Sequence, residues 1–166
     1  MSVVCRKAQL EDVDALFELI QGYAAKGIML PRSREVLIRI IDTFLVVQDG
    51  DRLIGCGSLC RLGSDLVEIR SLGIVDGYKG QGIGSLLVDA LMEEAGVQGI
   101  PKVMALTYEA AFFQKNGFKI VDKEIFPEKV WTDCVHCPKQ HCCDEIAVVR
   151  LTEPLAVNEQ LSFAQI

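Results

Sequence analysis

The sequence lacks the features that mark several large classes of protein. No apolar run reaches the roughly 18–20 residues that a membrane-spanning helix needs, and the opening stretch MSVVCRKAQLEDVD has no apolar core typical of a secretory signal peptide. Glycine (14) and proline (5) are too few for a low-complexity or collagen-like chain. We therefore expect a cytoplasmic protein with no membrane span.

Positive charge is also scarce, since 17 Lys and Arg stand against 23 Asp and Glu, for a net charge of −6. This balance argues against nucleic acid or an anionic membrane surface as the main partner. Apolar residues, in contrast, make up 50% of the 166 residues, which is enough for a compact core. The length fits one domain. We place that domain at residues 1–152 and a C-terminal tail at 153–166.

The order of the periodic segments predicts an α+β fold, in which three hairpin-linked strands precede a β-α-β unit. We expect a mixed sheet of six to seven strands flanked by about four helices. The predicted strands are 3–6, 43–48, 52–61, 66–75, 103–107, 118–122 and 146–151, and the predicted helices are 10–26, 34–41, 84–95 and 109–116. The apolar stripes include Leu10 in the first helix and Leu86 in the third.

The strongest local signal is the glycine-rich segment 79–85 (KGQGIGS), which follows a strand and opens a helix. Glycines let the backbone approach a ligand closely, and a helix start offers unpaired amides with a partial positive charge. Together these features predict a pyrophosphate site. The segment lacks the Gly-Lys-Ser/Thr of a Walker loop and lies too late in the chain for a dinucleotide fingerprint. A turn that only reverses the chain is the remaining alternative.

At these residues the chain resembles the GCN5-related N-acetyltransferase (GNAT) family, whose signature Arg/Gln-x-x-Gly-x-Gly/Ala binds the pyrophosphate of acetyl-CoA. Lys79-x-x-Gly82-x-Gly84 matches it, with a lysine that keeps the charge but loses the guanidinium fork. The segment 112–118 (FFQKNGF) also resembles the family's common ending. The resemblance covers residues 3–151 and implies a three-layer GNAT fold with acetyl-CoA as cosubstrate. The residues predicted to contact it are Leu72, Gly73, Ile74, Lys79, Gly80, Gln81, Gly82, Ile83, Gly84 and Ser85.

Further segments resemble the catalytic domain of N-acetylglutamate synthases, which acetylate the α-amine of glutamate at the start of arginine biosynthesis. These segments are 26–35, 54–57, 68–69, 105–107 and 126–129. Many synthases carry a kinase-like domain in front, for which this chain has no room. The sequence therefore looks like the short, single-domain form.

The synthase resemblance places Glu68 at the position of the general base. Chemistry agrees, because a protonated amine cannot attack a thioester until a base removes its proton. The alternative is that Glu68 only pairs with Arg70, which lies on the same strand face. Thr107 falls where the family has a hydroxyl proposed to protonate the CoA thiolate, although it could equally satisfy a backbone group. Tyr108 is a second candidate donor, since Phe113 replaces the tyrosine of many relatives.

The same resemblance places Leu30, Arg32 and Arg70 in the acceptor site. Arg32 lies near a predicted helix start, where its guanidinium could bind a carboxylate with two hydrogen bonds, and an exposed surface arginine is the alternative. The synthases also have an Arg-x-Ser near the last strand, where this chain has Cys142-Cys143-Asp144. This departure weakens the case for glutamate but not for acetyl transfer. The side chains that would have to replace the missing clamp are Arg70, Arg34, Lys129 or Lys139.

Cysteines are concentrated in one segment, with four of the seven between positions 134 and 143. Without a secretory signal, metal ligands or free thiols are favoured over disulfides. Thiolates and the interspersed histidines are ligand types for zinc or iron. We assign Cys134, Cys137 and Cys143 as candidate metal ligands, with a cluster of free thiols as the alternative.

Three functional hypotheses remain. The leading one is an acetyl-CoA-dependent N-acetyltransferase acting on the α-amine of an amino acid, most of all glutamate. The second keeps the enzyme class but changes the acceptor to another amino acid, a polyamine or a protein N-terminus. The third is a non-catalytic CoA-binding sensor with a metal or redox loop. Glu68 argues against this hypothesis, because a sensor needs no general base. The expected partner is a small amine rather than nucleic acid or a membrane, and a homodimer stays open.

Overall fold

The computed structural model describes residues 2–126 and 145–152. Within them, seven strands form one mixed sheet with the order β1-β2-β3-β4-β5-β7-β6. The strands are β1 (Val3–Lys7), β2 (Phe44–Asp49), β3 (Arg52–Arg61), β4 (Leu66–Ile74), β5 (Lys102–Thr107), β6 (Lys119–Val121) and β7 (Ile146–Leu151). The α-helices are α1 (Val13–Ala25), α2 (Arg34–Ile40), α3 (Ile83–Val97) and α4 (Ala110–Lys115). The predicted α+β class and element order are confirmed.

Local sequence signals set several element boundaries. Gly50 adopts a φ of +59° in the turn between β2 and β3, as the Asp-Gly pair predicts. The Ser33 hydroxyl accepts a hydrogen bond from the Val36 amide at 3.2 Å and so caps α2. In contrast, Leu10 and Leu86 are exposed by 60% and 39%, so their assignment to apolar stripes was wrong. Leu10 lies in a 3-10 turn before α1, and Leu86 lies at the edge of the stripe that α3 buries.

The sheet has hydrophobic clusters on both of its faces, because successive residues of a strand point to opposite faces. On one face, Leu45 and Val47 of β2 pack in a cluster with α3. On the other, Phe44 and Val46 pack in a cluster with α1 and α2. The result is the expected three-layer arrangement of helix, sheet and helix. In the described part of the chain, no helix combines the length and apolar character needed to cross a membrane.

The sheet opens in its middle, between β4 and β5. These two strands are parallel and pair only at Leu66–Lys102, Val67–Val103 and Glu68–Met104. Beyond these pairs β4 continues to Ile74 and β5 to Thr107. The strands therefore diverge after Glu68 and leave a cleft at the carboxyl end of β4. The proposed tail, 153–166, lies outside the described residues, so the domain division stays a prediction.

Candidate active site

A β-bulge in β4 lies beside the cleft. On β3, Cys56 and Ser58 pair with Gly73 and Arg70, so one residue between the pairs on β3 faces two on β4. One of those two, Ser71, has a φ of +54°, which residues other than glycine rarely adopt. A bulge of this kind bends the strand and increases its twist. It accounts for the departure of β4 from β5.

Two buried side chains of β3 hold the bulge in place. The Cys56 thiol donates a hydrogen bond to the Ser71 carbonyl at 3.2 Å, and the Ser58 hydroxyl donates to the Arg70 carbonyl at 3.1 Å. Burial raises the pKa of Cys56 to about 12, so the thiol stays protonated and keeps its donor role at neutral pH. These contacts were not predicted from the sequence, because they join residues 12 and 15 positions apart.

Tyr23, in the last turn of α1, lies against the end of β4. Its hydroxyl donates to the Ile74 carbonyl at 2.8 Å and accepts from the Ile74 amide at 3.0 Å. A Cβ built on Gly73 would lie 2.8 Å from the Tyr23 ring, so only glycine fits beneath it. The sequence placed Tyr23 only in an apolar stripe. The signal for this contact was Gly73 itself, since a glycine inside a strand often marks a close approach.

The glycine-rich segment runs into the first turn of α3, as predicted. Gly80 and Gly82 have φ values of +79° and +84°, and Gly82 is the N-cap residue of the helix. The amides of Ile83, Gly84 and Ser85 therefore fall in the first helical turn, where no carbonyl of the helix can pair with them. A Cβ on Gly84 would lie 3.0 Å from the Phe112 ring. This glycine thus also has a packing role.

The rim of the segment carries a positive charge. The Lys79 ammonium lies 3.5 Å from an Asp76 carboxylate oxygen and 5.1 Å from the centre of the Tyr23 ring. The pKa of Lys79 is raised, chiefly by its interaction with Tyr23 and also by Asp76. The lysine therefore stays charged at neutral pH, as an anion site requires.

Tyr78, the residue just before the segment, contacts the β2–β3 hairpin. The Tyr78 hydroxyl donates to Asp49 at 2.8 Å, and the Arg52 guanidinium lies 5.5 Å from the centre of the Tyr78 ring. The hydrogen bond to Asp49 is the main reason that the pKa of Tyr78 is raised. The Gln81 side chain of the segment donates to the carbonyl of Gly77, just before the segment, at 3.1 Å. The residues before the segment thus bond both to the hairpin and to the segment.

Glu68 lies at the point where β4 and β5 separate. It is only 7% exposed, and Arg70 donates to its carboxylate at 2.7 Å. The ion pair considered as an alternative to catalysis is therefore present. It does not exclude a catalytic role, because a carboxylate has two oxygens and about four acceptor positions. The partner charge instead compensates a carboxylate that is largely removed from water.

The two candidate proton donors lie at the end of β5. The buried Thr107 hydroxyl accepts from the Glu109 amide at 2.7 Å, which leaves its proton for donation. Strand alternation puts Thr107 on the α3 side with Val103 and Ala105, whereas Glu68 lies on the other face. The structure thus places these groups on opposite faces beside the cleft. Tyr108 follows in the turn and is 36% exposed.

The candidate acceptor residues Leu30 and Arg32 lie in the loop between α1 and α2, and both are half-buried. Arg32 is therefore not the fully exposed arginine of the alternative interpretation. Arg34, considered as a replacement clamp, pairs with Asp14 at 2.9 Å and lies 4.1 Å from the centre of the Phe17 ring. These contacts hold it on α1. Two other candidates for the clamp, Lys129 and Lys139, lie outside the described residues.

The predicted metal ligands Cys134, Cys137 and Cys143 also lie outside the described residues, so the zinc or iron site stays a prediction. In ranges 2–126 and 145–152, no group of three or more His, Cys, Asp or Glu side chains is placed to hold a metal. The cysteines found there, Cys5, Cys56 and Cys60, are not joined in disulfide bonds. Cys60 is paired with Glu68 across the strands.

Comparison with known proteins identifies acetyltransferases as similar to this chain. The model of the acetyltransferase (GNAT) domain matches residues 41–120. An uncharacterized N-acetyltransferase of Chlorobaculum tepidum is 41% identical over 87% of this chain and 94% of its own length. An amino-acid acetyltransferase of Mycobacterium tuberculosis is 35% identical over 75% of this chain and 76% of its own.

Two solved structures extend the similarity to the fold. N-acetylglutamate synthase from Neisseria gonorrhoeae, in complex with coenzyme A and N-acetyl-glutamate, superimposes with a TM-score of 0.83 at 26% identity. The match covers 92% of this chain but 36% of the synthase. A Mycobacterium tuberculosis protein in complex with CoA gives 0.77 at 28% identity, over 89% of this chain and 98% of its own.

Proposed function

Since the chain belongs to the GNAT family of acetyltransferases, we propose that it transfers an acetyl group from acetyl-CoA to the α-amine of an amino acid, with L-glutamate as the preferred acceptor. Family membership makes it an acyltransferase enzyme, as the sequence predicted. The acceptor and the roles of individual residues are the proposal. One observation carries it: a buried carboxylate lies where two strands open into a cleft, and a glycine-rich helix start follows the same strand.

We propose that acetyl-CoA lies in the cleft along β4, with its pyrophosphate at the start of α3. The amides of Gln81 to Ser85 and the ammonium of Lys79 supply donors and positive charge for two phosphates. This local cluster is what a chain of net charge −6 needs in order to bind an anion. The diverging β4 strand offers peptide groups to the rest of the cosubstrate. The solved relatives that contain CoA support this placement.

Glu68 serves as the general base in this proposal. It takes a proton from the acceptor ammonium, directly or through a water molecule, so that the nitrogen can attack the thioester carbon. As the new C–N bond forms and the C–S bond breaks, the electron pair goes to sulfur. Thr107 or Tyr108 then returns a proton to the thiolate. Arg70 holds the Glu68 carboxylate in one orientation at 2.7 Å.

Arg32 binds a carboxylate of the acceptor in this proposal, and Leu30 contacts its aliphatic part. A guanidinium recognises a carboxylate better than an ammonium does, because its planar fork can donate two parallel hydrogen bonds. Glutamate is favoured over a polyamine for this reason. The curated relatives described as amino-acid acetyltransferases and the synthase bound to N-acetyl-glutamate support the same acceptor class.

The experiment is a thiol-release assay with acetyl-CoA and a panel of amines. The panel contains each common amino acid, a polyamine and a peptide with a free N-terminus. The proposal expects the highest kcat/KM with L-glutamate. A clear preference for a polyamine or the peptide would contradict the acceptor, and CoA binding without turnover of any amine would favour the sensor hypothesis.

A further inference from the structure

The Tyr23 hydroxyl satisfies the amide and the carbonyl of the same residue, Ile74. The two distances, 3.0 and 2.8 Å, are those of good hydrogen bonds. Ile74 lies on the stretch of β4 that has left β5, and the neighbouring Val75 amide pairs with Ile54 on β3. The Ile74 groups therefore point away from β3, toward the cleft. They are a donor and an acceptor placed side by side on the edge of the strand.

Two successive secondary amides are the natural complement of such a pair, because a residue opposite in a sheet supplies its N–H from one peptide unit and its C=O from the next. The pantetheine arm of coenzyme A carries two secondary amides, and the proposed function lays this arm along β4. A single hydroxyl can act as donor and acceptor at once. Tyr23 thus offers Ile74 the same two hydrogen bonds as the two amides of the cosubstrate.

We propose that Tyr23 occupies the pantetheine position of the free enzyme and that acetyl-CoA displaces its hydroxyl from Ile74 on binding. This inference rests on the proposed function, since it assumes that the cosubstrate lies along β4. The exchange breaks the two hydrogen bonds between Tyr23 and Ile74, and the ligand then forms two hydrogen bonds to Ile74 in their place. Acetyl-CoA consequently binds more weakly than it would to a strand whose edge was covered only by water.

The position of Tyr23 links this exchange to the acceptor side. The Tyr23 carbonyl accepts from the Lys26 and Ile28 amides at 3.1 and 3.3 Å, at the beginning of the loop that carries Leu30 and Arg32. Movement of Tyr23 therefore alters the end of α1 and the start of that loop. It also releases Lys79, whose ammonium lies 5.1 Å from the ring centre, toward the phosphates. We expect acetyl-CoA to bind before the acceptor.

The test measures CoA affinity of the full chain and of Tyr23→Phe by titration calorimetry. Phenylalanine keeps the ring against Gly73 but removes the hydroxyl. Because each of the two hydrogen bonds to Ile74 is worth about 0.5–1.5 kcal/mol net, we expect CoA to bind roughly five- to hundredfold more tightly to the variant. Adenosine 3′,5′-bisphosphate, which lacks the pantetheine arm, should bind both proteins equally.

A matched control is Thr43→Val, which removes a hydroxyl bonded to the Ile40 carbonyl at 2.7 Å, before β2 and outside the cleft. It should leave the CoA affinity unchanged. Unchanged or weaker CoA binding by Tyr23→Phe would overturn the inference while leaving the proposed function standing, and so would an equal gain for the bisphosphate. If the unaltered protein bound no CoA, the proposed function and this inference would fail together.

Discussion

The two sides of the cleft differ in how the sequence encodes them. On the proposed cosubstrate side, a run of glycines between β4 and α3 specifies both the turn and the helix start, so residues close in sequence form the proposed site. On the proposed acceptor side, Glu68 and Arg70 come from β4 and Arg32 from the loop after α1, so these side chains come from distant parts of the sequence. The reaction class is therefore easier to infer than the acceptor.

The two sides also differ in how much they depend on a single residue. The proposed anion site has several backbone donors, which no side-chain substitution removes. On the proposed acceptor side, single side chains have separate roles, with Glu68 as the base and Arg32 as the carboxylate ligand. Substitutions should consequently separate the two sides: those at the glycines should alter cosubstrate affinity, and those at Glu68 or Arg32 should alter turnover or acceptor affinity.

The largest effect is expected for Glu68→Gln. Loss of a positioned general base should lower kcat by about 10²–10⁴-fold. CoA affinity should stay nearly intact, because Glu68 lies where β4 and β5 begin to separate and is distant in sequence from the segment 79–85 proposed to bind the pyrophosphate. Higher pH should partly restore the rate, since more of the amine is then already deprotonated. Initial rates of both proteins across a pH series measure this loss and its recovery. Full activity of the variant at neutral pH would mean that another group is the base.

A smaller effect, on the other side of the cleft, is expected for Gly82→Asp. The variant puts a side chain on a residue with a φ of +84° and adds a negative charge at the start of α3. Both changes oppose pyrophosphate binding, so the Kd for CoA should rise roughly 10- to 100-fold. Circular dichroism should first show that the variant is folded. Unchanged CoA affinity in a folded variant would show that the glycine-rich segment does not bind the pyrophosphate.

Arg32→Ala should raise the KM for L-glutamate by roughly 10- to 100-fold, since a hydrogen bond to a charged group contributes roughly 1.5–3 kcal/mol. The affinity for CoA should not change. Arg34→Ala is the matched control, because that arginine is held by Asp14 and Phe17 on α1. An equal rise of KM in both variants, or no rise in Arg32→Ala, would place the acceptor carboxylate elsewhere.

The smallest effect is expected for Asp12→Asn, which belongs to neither side of the cleft and breaks the bidentate pair with Arg6 at 2.9 Å. The variant should lose about 1–2 kcal/mol of unfolding free energy at neutral pH. The hydrogen bond from Arg6 is the main cause that lowers the pKa of Asp12. The contribution of the Arg6–Asp12 pair to the unfolding free energy is therefore complete above the ordinary pKa of 3.8. It disappears as pH falls through the lowered pKa that Asp12 has in the folded protein.

Urea unfolding of both proteins at several pH values measures this difference. Both should show the same CoA affinity and turnover at neutral pH. A constant difference in stability down to the acid range would contradict the assigned role of the Arg6–Asp12 pair.

Local signals made most of the fold predictable. Periodicity, the Asp-Gly turn and the Ser33 cap gave the order of the elements, with boundaries within a few residues. Leu10 and Leu86 were misplaced because periodicity alone does not show which turn of a helix faces the sheet. The divergence of β4 from β5 was not predicted, since the Ser71 bulge depends on hydrogen bonds from the neighbouring strand.

The predictable parts of the candidate site are those formed by residues close together in the sequence. The glycine segment follows from residues adjacent in sequence, whereas the contact between Tyr23 and Ile74 joins residues 51 positions apart. Glu68 and Arg70 were expected to share a strand face, and they form an ion pair there. Strand periodicity encodes the shared face of the pair but not its burial at the β4–β5 divergence, which depends on the folded sheet.

The most direct measurement is a crystal structure of the full chain with CoA and L-glutamate. The account predicts the pyrophosphate at the amides of residues 81–85 and a glutamate carboxylate at Arg32. It also predicts the α-amine within hydrogen-bond reach of Glu68, at about 2.6–3.2 Å or through one water. Glutamate bound elsewhere, or an amine out of reach of Glu68 with CoA correctly seated, would contradict the proposed acetyl transfer to this acceptor.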